Sequence, residues 1–164
     1  MRKLGRSHPL WHRALLLAAL LFHLSLLVSW RVGFWNRFTF DSTATRGWRG
    51  WDFYALYQAS HNLRTGVSIY ESDDDKTDIV VLRHTPYRYL PFAALTVGLL
   101  ATALPPVTAY WVWVAIIELL LLLCAIYSWR LARSPDRGAV LAGMWLLFTP
   151  IYLELYLGQF TLVQ

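Results

Sequence analysis

From Ala109 to Trp129 the chain is an unbroken apolar run whose single charged residue is Glu118. Wound as a helix at 1.5 Å per residue, such a run spans roughly 30 Å, the thickness of a bilayer's hydrocarbon core. In that medium a lipid-exposed backbone must satisfy its own N–H and C=O groups, so the segment is helical. A fold that contains it is a membrane protein, or else a bundle that hides it completely. The composition supports the first. The chain is 57% hydrophobic and 15% charged, with 9 Trp, 9 Tyr and 8 Phe, and a mean hydropathy of +0.39. A water-soluble domain of 164 residues has no core large enough for that content.

Three further apolar runs accompany this one. Residues 14–30 form the first span, 89–105 a second segment, 108–129 the third and 139–158 the fourth. Arg2, Lys3, Arg6 and Arg13 precede the first, with no acid among them. That pattern reads as a signal anchor with a cytoplasmic N-terminus. A cleaved signal peptide fits less well, because Ser29-Trp30-Arg31 offers no small-x-small cleavage site. His23 lies within the first span and packs against a neighbour. Glu118 either faces a cavity or pairs with another buried polar group, since a bare carboxylate in lipid is costly. Cys124 is the only cysteine, which excludes an intrachain disulfide. The net charge of +5 is concentrated at the N-terminus and after Trp129. It orients a membrane protein rather than binding nucleic acid.

The second segment, Leu90 to Leu104, ends at Pro105-Pro106, which stops a helix. It is either a minimal span or a re-entrant segment. If it crosses, Arg130, Arg133 and Arg137 fall outside, against the positive-inside tendency. If it re-enters, they fall inside. The charge rule favours re-entry, and the alternation of short hairpin spans favours crossing by a small margin.

Residues 31–88 form an external loop crowded with aromatics. Trp30, Phe34, Trp35, Phe38, Phe40, Trp48 and Trp51 suit an interfacial belt. Within it the spacing predicts a helix from Asp52 to about Arg64. Asp52 suits its N-cap, and Gly66 its C-terminal stop. Phe53, Leu56, Tyr57 and Leu63 recur at helical spacing, as in an amphipathic helix lying on the membrane. Asp52 either only caps this helix or does chemistry at the membrane surface. Asp73, Asp74, Asp75 and Asp78 lack the glycine and distal Glu of a calcium loop and read as a solvated loop tip.

Asp52-Phe53 with the aromatics after it, then Ala59, Gly66 and Tyr70, then Tyr87-Arg88-Tyr89-Leu90-Pro91, and later Gly158-Gln159 form an ordered set. This set resembles the polyprenol-phosphate-sugar-dependent glycosyltransferases of family 87. Its Tyr-Arg-Tyr-x-Pro piece is also similar to the mannosyltransferases of GPI-anchor synthesis. The resemblance covers roughly residues 50–160. Family members are longer and carry more spans, so it implies that the chain corresponds to their N-terminal part. Thr161 and Leu162 stand where an asparagine often follows the Gly-Gln pair.

The resemblance implies an all-α integral membrane fold of the GT-C type, with an acidic residue in the first external loop. Asp52 matches that residue and would act as general base. It would take the proton of an acceptor hydroxyl while the sugar, mannose in the family's best-known case, leaves a polyprenyl phosphate with inversion. Trp51, Tyr54 and Tyr57 suit an acceptor site where rings stack on sugar; interfacial anchoring is the other reading of all three. Arg83 and Arg88 are candidates for holding the phosphate. Tyr87, Tyr89 and Gln159 complete the expected substrate-binding set. No cofactor and no metal ligand are expected. The partners would be membrane lipids, a polyprenyl-phosphate sugar and a lipid or glycan acceptor, at a bacterial plasma membrane that the chain crosses several times. Two other classes compete: a non-catalytic membrane subunit, and a transporter piece with Glu118 and Glu154 on its pathway. A transporter concentrates its polar residues within its spans; here they concentrate in the loop.

Overall fold

A computed structural model describes residues 10–35, 49–70 and 86–159. Among these residues the fold is all helical. Arg83 and the carboxylates Asp73, Asp74, Asp75 and Asp78 lie outside the described residues, as do Phe38, Phe40 and Trp48.

Among the described residues two helices are long and apolar enough to cross a membrane. The first, α1, is Leu10–Val32 with 23 residues. It is roughly 34 Å long and stops at Gly33, whose φ is 83°. The other, designated α4, is Pro106–Leu131 with 26 residues, roughly 39 Å. Pro106 opens it where a missing N–H costs nothing. Between them lie α2, Trp51–Thr65, and α3, Pro91–Ala101. Helix α3 is short, roughly 16 Å, about half a hydrocarbon core. After α4 come α5, Pro135–Leu146, and α6, Pro150–Leu157.

Helices α1 and α4 run antiparallel. The Arg31 guanidinium lies 5.8 Å from the ring centre of Trp111. Further along, His23 Nε2 is 3.0 Å from Glu118 Oε2. Beyond that, Leu20 shares a groove with Leu122, Ala125 and Trp129. Helix α5 runs parallel to α1: His12 lies 2.7 Å from Asp136, and Gly143 faces Ala19 and Leu15. Helix α6 continues that direction, with Ser29 Oγ 3.0 Å from the Tyr152 hydroxyl. Arg13, Arg130, Arg133 and Arg137 therefore share one end of the bundle, and all four are exposed. Helix α2, the C-terminal end of α6 and the start of α4 share the other.

The sequence expectation of one-sided burial for α2 is not met. Every residue from Phe53 to Ser60 is buried. The cause is packing on several sides, by α3, α4 and α6. At the α3 side Gly98 makes the close approach possible, since a Cβ there would sit 1.9 Å from Ser60 Oγ. Residues 94–98 of α3 widen into a π-turn, and Ser60 Oγ donates to the Ala94 carbonyl at 3.0 Å. Buried Gln58 donates to Asn62 Oδ1 at 2.9 Å. The polar residues of α2 thus satisfy one another and the backbone, which is why a helix of such low hydrophobicity sits inside.

Two further expectations change. Asp52 is not the N-cap of α2. Gly50 is, at φ 76°, and Asp52 occupies the first turn, where a carboxylate complements the helix dipole. Gly66 does end the helix, at φ 76° with its N–H on the Asn62 and Leu63 carbonyls. The expected last span, 139–158, is two helices with a break at Leu147–Thr149, where Pro150 cannot continue the first.

Candidate active site

The site forms where three distant stretches meet at the end of the bundle opposite the arginines. The first is the start of α2. Gly50 holds a left-handed turn that lets the rings of Tyr54 and Tyr110 close over it; a Cβ at Gly50 would stand 2.9 Å from the Tyr110 ring. Asp52 follows, half-buried.

The second stretch is the end of α6. Gly158 adopts φ 70°, and a Cβ there would lie 2.6 Å from Phe53 Cβ and 3.2 Å from Gly50 Cα. The backbone of Gly158 is therefore pressed against the first turn of α2, on either side of Asp52 in sequence. The Trp113 indole of α4 donates to the Gln159 carbonyl at 3.2 Å. The Tyr110 hydroxyl donates to the Leu155 carbonyl at 2.6 Å. These bonds tie the α6 terminus to α4 as well.

The third stretch is Tyr87 to Leu90, just before α3. The Tyr89 hydroxyl is hydrogen-bonded to the Asp52 side chain. Burial raises the Tyr89 phenol to about 12; the Asp52 charge, that hydrogen bond and the charge of Glu154 push the same way. The phenol is therefore a neutral donor at any physiological pH. A donor on the carboxylate fixes the orientation of the group.

The structure sorts the sequence-derived set. Asp52, Tyr89 and the Gly158-Gln159 pair come together. Trp51 is half-buried beside them, and Arg88 is exposed next to Tyr89. Tyr54 and Tyr57 are not stacking platforms for a sugar. They are 2% and 3% exposed, and their faces are covered by protein. The Tyr54 ring packs 5.5 Å from that of Tyr110, and burial raises its phenol to about 12. Tyr57 donates to the Leu104 carbonyl at 2.7 Å. Tyr87 is likewise a wall residue, buried and donating to the Leu90 carbonyl at 2.7 Å.

One residue near the site was not in the sequence reading of it: the charge of Glu154 pushes the Tyr89 phenol in the same direction as that of Asp52. Its spacing was the available signal: it lies one helical turn before Gly158, so the two share a face of α6. Glu118 belongs elsewhere. Its partner is His23, inside the bundle, so the two intramembrane-region glutamates do not line one path. Among the described residues no group of three His, Cys, Asp or Glu side chains is placed to hold a metal ion.

No family model, no curated protein and no solved structure matches this chain.

Proposed function

We propose that this chain is a membrane glycosyltransferase that moves a hexose from a polyprenyl-phosphate donor to a hydroxyl of a lipid or glycan acceptor, with Asp52 as general base. The observation that carries this reading is the convergence of Asp52, Tyr89 and Gly158-Gln159, which come from three separate stretches of the sequence, on one point. In the reaction the acceptor oxygen forms the new bond to the anomeric carbon as the bond to the phosphate oxygen breaks. The electron pair leaves with the polyprenyl phosphate, and Asp52 takes the acceptor's proton. Tyr89 holds the carboxylate in place.

The placement supports the lipid donor. Tyr89 and Leu90 lead from the site straight into α3, whose Phe92, Leu95 and Leu100 are exposed. An apolar edge beside a carboxylate suits a substrate that is half lipid. The basic residues Arg2, Lys3 and Arg6 ahead of α1 support a cytoplasmic N-terminus, with the site on the opposite membrane face and α3 re-entrant. Incubation of membranes bearing the protein with radiolabelled polyprenyl-phosphate mannose tests the donor class. Label passes to a lipid or glycan product on this reading. Transfer from a nucleotide sugar and not from the lipid-linked one overturns it.

A further inference from the structure

At the end of the bundle opposite the site, a groove of about 320 Å³ opens between α1, α4 and α5. Buried Ala125 and Ala142 form its floor, and exposed Leu20 and Leu122 stand at its rim. From Leu122 to Arg130 it follows α4 for a rise of roughly 12 Å. It is apolar until Trp129 and Arg130, which close the end nearest the other arginines. Gly138 presses on Trp129: a Cβ there would stand 3.3 Å from the indole, so the ring is held in place. Arg13, Arg133 and Arg137 are exposed around the same end. Among the described residues none of the four arginines forms an ion pair. The one carboxylate described at that end, Asp136, lies 2.7 Å from His12.

We infer that this groove binds an anionic phospholipid: an acyl chain lies along Ala125 and Ala142, and the headgroup phosphate meets the Arg130 guanidinium. The inference rests on the membrane reading of α1 and α4 and is independent of sugar transfer. An apolar slot that ends on an arginine matches a molecule with a hydrocarbon chain at one end and a phosphate at the other. A guanidinium holds phosphate bidentately. A zwitterionic headgroup offsets its phosphate with its own cation, whereas an anionic one leaves its charge to the arginines. The orientation proposed above puts this end at the cytoplasmic leaflet, where the surface potential comes from anionic lipid. A second copy of the chain, inserted the same way, would bring the same arginines to the contact and be repelled.

The test uses the full chain in phosphatidylcholine vesicles, with phosphatidylglycerol as the probe. Dibrominated acyl chains on either lipid quench a tryptophan that they touch. Brominated phosphatidylglycerol is expected to quench the wild type with an apparent affinity about fivefold or more above that of brominated phosphatidylcholine. Arg130→Gln should lower that preference about fivefold. Arg133→Gln, outside the groove and screened by solvent, should change it by less than about twofold. Trp129→Phe, which keeps a ring in place, should lose the part of the quenching that is selective for phosphatidylglycerol. No preference in the wild type, equal losses in the two arginine variants, or selective quenching that survives in Trp129→Phe overturns the site. Displacement of the lipid by soluble glycerol 3-phosphate assigns Arg130 to a free anion and overturns the lipid as its ligand. Absence of quenching by either lipid overturns the membrane reading, and this inference with it.

Discussion

Gly158→Ala places a methyl group in space already filled by α2. The new Cβ would stand 2.6 Å from Phe53 Cβ, 3.2 Å from Gly50 Cα and 3.3 Å from the Phe53 nitrogen. Two of these neighbours are backbone atoms, and Phe53 is 1% exposed, so nothing yields cheaply. Overpacking of this kind costs about 1–3 kcal/mol. The left-handed φ of 70° adds about 1–2 kcal/mol for a residue with a Cβ. The sum is about 2–5 kcal/mol against the docking of α6 on α2. Gly66→Ala is the control. It has a φ of 76° but nothing within 4 Å of its Cβ, so only the conformational part, about 1–2 kcal/mol, applies. Thermal unfolding of the purified protein, followed by tryptophan fluorescence, reads the difference at about 2–4 °C per kcal/mol. Transfer activity should also fall in Gly158→Ala and persist in Gly66→Ala, because only the first disturbs the packing of the α6 terminus on the first turn of α2, where Asp52 sits. Equal melting temperatures for the two variants would refute the claim that the α6 terminus is wedged against α2.

The remaining predictions concern buried polar groups. Tyr54 and Tyr89 are each raised to about 12. A folded-state value above the unfolded one means stability is complete below about pH 10 and falls as pH rises toward 12. Burial raises Tyr57 and Tyr87 in the same direction, so tyrosinate absorbance should show a group of phenols, Tyr54 and Tyr89 among them, that titrates late in the folded protein and joins the rest on unfolding. His23→Leu leaves the Glu118 carboxylate without its 3.0 Å partner, which costs about 3–5 kcal/mol, and the added Glu118→Leu change should recover most of the loss. No recovery in the double variant would mean that the pair holds α1 and α4 together through packing alone.

The helical fold, with two helices long and apolar enough to cross a membrane, was legible because it rests on composition and run length. Gly66 was legible for a similar reason: a helix stop needs only local backbone freedom. The surroundings of α2 were not. Its aromatic spacing matches a helix half in lipid, and only the presence of Gly98, Tyr110 and Gly158 on its other faces turns that pattern into a buried helix. Those contacts are long-range, so periodicity carries no trace of them. The place of Asp52 in the helix was misjudged by the cap rule, because a glycine in the left-handed region took the capping position. The sugar-stacking tyrosines went wrong in the same way. An aromatic on a loop helix reads as exposed until its neighbours are known. Glu154 stood in plain view as a charge in an apolar run, but its nearness to Tyr89 depends on the long-range packing of the α6 terminus on α2.

The central claim is that Asp52 removes the proton from the acceptor. The most direct measurement is the rate of label transfer from polyprenyl-phosphate mannose under saturating substrate, in the wild type and in Asp52→Asn. A general base is worth about 10²- to 10⁴-fold, so the variant should fall by at least the lower figure while still inserting and folding. A variant that transfers label at the wild-type rate would contradict the account.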